Sequence, residues 1–405
     1  MIHKFSVSNY HSIREEAILD LRIPGTAPAL PCFRRSAVRP DIRLPSVAVL
    51  MGPNGSGKTT LLRALITVAE VVSSVPLAGN NPIKAVLPFL SESAKGEPTL
   101  FCVEFETARL LPGDIPQLFR YELGLERRDP EAITNATFRH EALLHFPRGR
   151  PRRLIKRGEP GKPIYVSGDF GLRPGDDRLK AVRADTSVIS TLAMFNVPLA
   201  VRIVEGLRTL VAWSTNILAH GTWSFPTKDV IDMFENQPVL SDWIQSQIQC
   251  SDLGIRGVRV ADGGTGEKLV WFDHDGLDTP ILLNFESSGT KRLFHLLPQL
   301  GFALNVTGVA VLDEIDGDLH VDIAGEILRW FRSRESNPHG AQLFVTSHNV
   351  GLLDDLEKEE VFIVEKDDSG ATRVHGAQDV RGLRRDARLY PKYRAGVLGG
   401  IPRFG

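Results

Sequence analysis

Gly52-Pro53-Asn54-Gly55-Ser56-Gly57-Lys58-Thr59 is the stretch that decides the fold. It matches in full the pattern of a glycine-rich loop that wraps a phosphate chain. Its glycines permit backbone angles at which successive N–H groups converge on one anion. The pattern predicts that Lys58 reaches the β- and γ-phosphates of ATP and that the Thr59 hydroxyl ligates Mg²⁺. A chance glycine-rich turn would carry no flanking order, and this one does. Val47-Ala48-Val49-Leu50-Met51 reads as a buried parallel strand running into the loop. Thr60 to Val72 follows with Leu61, Leu62, Leu65 and Val68 at helical spacing. The N-terminal end of such a helix, at Thr59 and Thr60, points its positive pole at the same anion.

Further along, Val309-Ala310-Val311-Leu312-Asp313-Glu314 places two carboxylates at the C-terminal end of a second apolar strand. Open parallel sheets bind ligands at that edge. Asp313 is therefore the expected Mg²⁺ holder, through water, and Glu314 the group that polarises the attacking water. Alone, such a strand end carries little information; after a phosphate loop it becomes its partner. Ser347-His348 closes a third strand, Gln342 to Thr346. Taken singly His348 reads as a turn cap, and in this company as a contact to the γ-phosphate.

The rest of the chain sets the frame. At 405 residues, with 42% hydrophobic and 24% charged residues, it has the make-up of a globular protein. A net charge of −1 provides no global field toward nucleic acid or an anionic membrane. Three scattered cysteines, Cys32, Cys102 and Cys250, offer neither a disulfide framework nor zinc spacing. No run approaches the roughly 18 apolar residues of a membrane helix, and the start lacks a signal core. A soluble, cytoplasmic protein without a membrane partner is expected. Residues 1–75 and 280–405 read as the ATPase core. Residues 76–175 read as an antiparallel β lobe, and 176–279 as a helical insertion returning through two strands. The fold class is α/β, a mostly parallel sheet of βαβ units joined to that antiparallel lobe.

These pieces, in this order, resemble the ATP-binding-cassette class of P-loop ATPases, in its SMC- and Rad50-like branch. Glu286-Ser287-Ser288-Gly289-Thr290-Lys291-Arg292 looks like the signature motif of that class, although Ser287-Ser288-Gly289 also reads as a plain helix N-cap. The resemblance implies that Ser288 and Gly289 contact the ATP of an opposing subunit, so that two copies form a homodimer around two nucleotides. A narrower resemblance is to stand-alone AAA15/AAA21 ATPases of the overcoming-lysogenization-defect type found in bacterial anti-phage defence. It rests on Asn9-Tyr10 with Ser12-Ile13, on Asp313 to His320, and on Tyr393-Arg394-Ala395-Gly396-Val397-Leu398-Gly399-Gly400-Ile401-Pro402. It implies a separately encoded effector as partner.

The chain departs from the class pattern in three places. Gln117 is only a weak match to the glutamine of the transporter branch, which argues against a transporter subunit. His320 stands where many relatives carry an aspartate. Fewer than 60 residues follow His348, too few for a fused Toprim nuclease, and Glu365-Lys366-Asp367-Asp368 reads as a turn between strands. Two basic runs, Arg148 to Arg157 and Arg381 to Arg394, suit either a solvated face or DNA contact. Direct DNA binding by a Rad50-like maintenance ATPase is the alternative reading.

Overall fold

The computed structural model describes residues 1–73, 86–91, 94, 96–107, 115–127, 136–158, 162–173, 175–211, 227–251, 254–264, 266–305, 308–317 and 319–401. Asp318 and Pro402 of the motifs above lie outside the described residues, as do 76–85 and 212–226 of the two expected insertions.

Two sheets organise what is described. In the first, strands β1 (Ile2–Ser8), β2 (Ala17–Asp20), β6 (Thr99–Glu106), β7 (Leu118–Arg127), β8 (Ala136–His145), β9 (Arg152–Arg157) and β10 (Tyr165–Val166) pair in the order β10-β9-β8-β7-β6-β1-β2. All neighbours are antiparallel. The N-terminal strands, grouped by sequence with residues 1–75, thus join the antiparallel lobe. A short hairpin of β3 (Phe33–Arg35) and β4 (Arg43–Pro45) leads from this sheet into the second.

The second sheet runs β14-β15-β5-β16-β17, where β5 is Val47–Met51, β14 Val309–Leu312, β15 Gln342–Ser347, β16 Val361–Lys366 and β17 Thr372–Gly376. The first four are parallel and β17 is antiparallel. β5 is buried along its whole length, as a strand covered on both faces must be. Its side chains alternate between two cores. Ala48 and Leu50 face the core built on α1 (Lys58–Ser73), while Val47, Val49 and Met51 face that built on α6 (Ser288–Asn305) and α7 (Val321–Arg332). The apolar stripe read from the sequence in α1 is buried, Leu61, Leu62, Leu65 and Val68 all being at most 1% exposed.

The segment expected as one helical insertion is divided between these cores. Helices α2 (Val188–Met194) and α3 (Pro198–Val211) pack with α1 and the antiparallel sheet, whereas α4 (Thr227–Asn236) and α5 (Pro238–Cys250) pack on α6. The chain then returns through β11 (Ile255–Asp262), β12 (Lys268–His274) and β13 (Ile281–Leu282), a separate antiparallel sheet. A last helix, α8 (Leu389–Arg394), precedes the C-terminal tail. Among the described residues no single helix is long and apolar enough to cross a membrane.

Register explains the position of the site. Leu312 pairs with Val345, and Val345 with Val49, so Asp313 and Glu314 leave β14 level with the last residues of β15 and β5. The glycine loop, Asp313-Glu314 and Ser347-His348 therefore emerge side by side at the C-terminal edge of the sheet. Because β15 lies between β5 and β14, its last residues stand between the loop and the carboxylates.

Candidate functional site

The loop is a tight cradle. Gly52 has φ +154°, and a Cβ there would lie 2.0 Å from the Val364 carbonyl oxygen. At Gly57, φ is +108° and a Cβ would lie 2.2 Å from Thr372 Oγ1. Glycine is thus imposed twice, by backbone conformation and by the approach of β16 and β17. Pro53 leads to Asn54 and Gly55, exposed at the crest. The Ser56 hydroxyl is buried without a hydrogen-bond partner among the described residues, while its carbonyl accepts from Thr372 Oγ1 at 2.7 Å. Lys58 lies inside its own loop, 5% exposed, donating to Gly52 O at 2.9 Å and Pro53 O at 3.0 Å. Burial holds this ammonium below the ordinary lysine pKa, against the pull of Asp313, Glu314 and Asp316.

Facing the loop, Asp313 is the hub. Its Oδ2 accepts from the Thr59 hydroxyl at 2.7 Å, and its Oδ1 from the Thr346 hydroxyl at 2.5 Å. Thr346 Oγ1 in turn accepts the Glu314 N–H at 2.6 Å. One threonine therefore orients both carboxylate residues. Glu314 sits at φ +50°, a conformation unusual for a non-glycine residue and common at sites under functional constraint. Arg292, one turn into α6, donates to Glu314 O at 2.5 Å and also to Gly317 O. His348 is exposed, and its N–H donates to Asp316 Oδ2 at 2.9 Å.

A cleft of about 710 Å³ joins these groups. Asn54, Gly55, Gly57, Lys58, Thr59 and Thr60 line one side, with Glu314, Thr346 and His348 opposite. His11, Ser12, Gly370 and the segment Leu87 to Leu90 complete the wall. Ser288 and Gly289 are not part of it. They open α6 elsewhere, with the Ser287 hydroxyl accepting the Thr290 N–H at 3.1 Å as the cap. His320 caps α7 through the Asp322 N–H at 3.3 Å.

The residues fit a triphosphate with its metal. The cradle closes to any side chain at 52 and 57, a buried hydroxyl at Ser56 lacks a partner among the described residues, and a cation stands at the centre. Mg²⁺ takes one or two protein oxygens and completes its shell from phosphate and water. The adjacent Thr59 and Asp313 oxygens suit that donor set. The roles of Thr346 and Arg292, and the apolar wall at 87–90, carry no local signal in the sequence. Thr346 was legible only as a strand end; its neighbours Ser347-His348 were the nearest signal.

Four residues of the basic runs are engaged within the chain. Arg157 is buried, donating to Thr186 O and Arg183 O at 2.7 Å each, and Arg152 pairs with Asp169 at 3.1 Å. Arg385 pairs with Glu357 and Glu359, and Arg388 with Asp354.

Residues 47–354 match the AAA21 family of AAA domains, whose description names an AbiEii-type toxin of type IV toxin–antitoxin systems. The chain belongs to this family. It is an AAA21 ATPase with a P-loop fold. No curated protein matches it. Among solved structures it is similar to the SMC head domain from Thermotoga maritima, at 14% identity and TM-score 0.41, covering 93% of this chain and 98% of that one. It is also similar to an Smc head with an extended coiled coil from Pyrococcus furiosus, bound to the C-terminal domain of ScpA. There the identity is 13% and the TM-score 0.43, over 97% of this chain and 98% of the other. In this AAA21 chain the match spans both the glycine loop and the Asp313-Glu314 strand.

Proposed function

We propose that this ATPase is a Mg²⁺-dependent switch in which two copies close around two ATP molecules. The observation that carries the reading is the contact of Thr59 with Asp313, which brings the two expected metal ligands to one point 2.7 Å apart. Lys58 exchanges its loop carbonyls for β- and γ-phosphate oxygens. Thr59 and, through water, Asp313 would hold Mg²⁺, which would supply charge neutralisation at the phosphates. Glu314 orients the attacking water as general base, and His348 reads the γ-phosphate from across the cleft.

Ser288 and Gly289 lie outside the cleft, at the start of a helix longer than one turn. That position supports a role toward the nucleotide of the opposing copy, where a helix N-terminus favours the anion. Arg292 links this helix to the Glu314 carbonyl, which supports a path from the partner's nucleotide to the catalytic loop. Differential contacts to intact γ-phosphate would hold the closed pair and hydrolysis would release it. The family description, naming a toxin of a toxin–antitoxin system, supports an output directed at an effector in prokaryotic defence.

The test is Glu314→Gln, which slows hydrolysis and keeps ATP bound. With ATP and Mg²⁺ its mass in light scattering doubles and returns to the starting value on nucleotide removal. A variant that binds ATP and keeps one mass throughout refutes the sandwich. A duplex-DNA shift that weakens steeply with salt would favour the maintenance reading.

A further inference from the structure

Two features of the sequence have no part in the site as described: the glycine pair near the C-terminus, and Glu365 at the end of β16. They meet behind the phosphate loop. After α8 the chain turns back through Gly399, at φ +81°, and Gly400, at φ +67°. A Cβ on Gly399 would lie 3.1 Å from Glu365 Oε2. One on Gly400 would lie 2.7 Å from Ile363 Cγ2 and 3.7 Å from the Cα of Gly52. The Gly400 residue is gripped from both sides. Its N–H donates to Glu365 Oε2 at 2.9 Å, and its carbonyl accepts from the Tyr393 hydroxyl at 2.6 Å. A His375 ring nitrogen meets Leu398 O at 2.9 Å just upstream.

The consequence falls on Gly52. This first residue of the loop abuts the Val364 carbonyl and has Gly400 alongside its Cα, and its own carbonyl is one of the two that hold Lys58. We propose that Leu389 to Ile401 is a brace for the phosphate loop, with Glu365, Tyr393 and Gly400 as positioning residues that set affinity for the triphosphate. The inference rests on the loop binding ATP, and it adds a cause for the loop's shape. A loop already ordered before binding loses less freedom when the anion arrives. Glu365 is thereby given a structural use, while Asp367 closes the turn beyond it by accepting from the Ser369 and Ala371 N–H groups.

The experiment measures Mg·ATP affinity, KM and kcat for the full chain and for Gly400→Ala, Glu365→Ala, Tyr393→Phe and Glu365→Gln. Thermal unfolding confirms that each is folded. The first three are expected to raise Kd and KM about five- to twentyfold, with kcat at saturation within about twofold of wild type. Glu365→Gln retains an acceptor for the Gly400 N–H and is expected to recover most of the affinity. Should Gly400→Ala not fold, the Glu365→Ala and Glu365→Gln pair decides alone. Folded variants that bind ATP as wild type does, or that lose kcat with KM unchanged, overturn the brace. Wild type failing to bind ATP, as Lys58→Ala is expected to fail, removes the brace together with the reading beneath it.

Discussion

At the scale of single residues, Thr346 makes the sharpest prediction because it joins two functional groups. Its hydroxyl donates to Asp313 and accepts from the Glu314 N–H. Thr346→Val keeps the volume and removes both bonds. It is expected to lower kcat by about 10- to 100-fold, with Thr346→Ser restoring most of it, as read by phosphate release. A second prediction concerns acid stability. Burial alone would raise the Glu106 carboxyl, but His3 at 2.7 Å, the N-terminal ammonium and Ser36 hold it down to about 2, against an ordinary 4.5. A carboxylate lowered by folding adds stability that is complete above about 4.5 and is lost as pH falls toward 2. Glu106→Gln should therefore cost roughly 3 kcal/mol at pH 7, with the gap to wild type narrowing below pH 4.5 in urea unfolding. Neither residue was legible in the sequence. Thr346 occupies an apolar strand pattern that any β-branched residue would satisfy, and Glu106 depends on partners up to 105 positions away.

At the scale of elements, the sequence was most informative where one element carries its own signal. Val309–Leu312 and the start of α6 at Ser288 coincide with expectation, because a fully apolar run and a serine cap are local features. The membership of β1 and β2 in the antiparallel sheet was hidden, since an amphipathic strand does not state which sheet it joins. The split of the helices after residue 176 was hidden for the same reason: an apolar face does not name its partner. The loop itself gives an element-scale prediction. Gly57→Ala forces a Cβ against Thr372 Oγ1 at φ +108°. It is expected to abolish measurable ATP binding, at least about a 100-fold loss, while the unfolding midpoint moves by only a few degrees. Arg292→Ala, which frees the Glu314 carbonyl from α6, should lower kcat about tenfold and leave ATP affinity unchanged in equilibrium titration.

At the scale of the whole molecule, one sheet edge gathers residues from three distant segments because three parallel strands run in register toward it. That convergence is what a spacing of motifs in a sequence can suggest and only a fold can place. Ser288 and Gly289 do not line the cleft at that edge, and the pairing proposed above gives them a nucleotide to meet. Turnover nevertheless depends on a smaller thing, the shared position of Thr59 and Asp313. The most direct measurement is Mg²⁺-dependent phosphate release by the intact protein beside Asp313→Asn. Wild-type turnover is expected to be abolished by chelation and reduced at least about 100-fold in the variant, with ATP still bound. Undiminished turnover in folded Asp313→Asn would contradict that expectation.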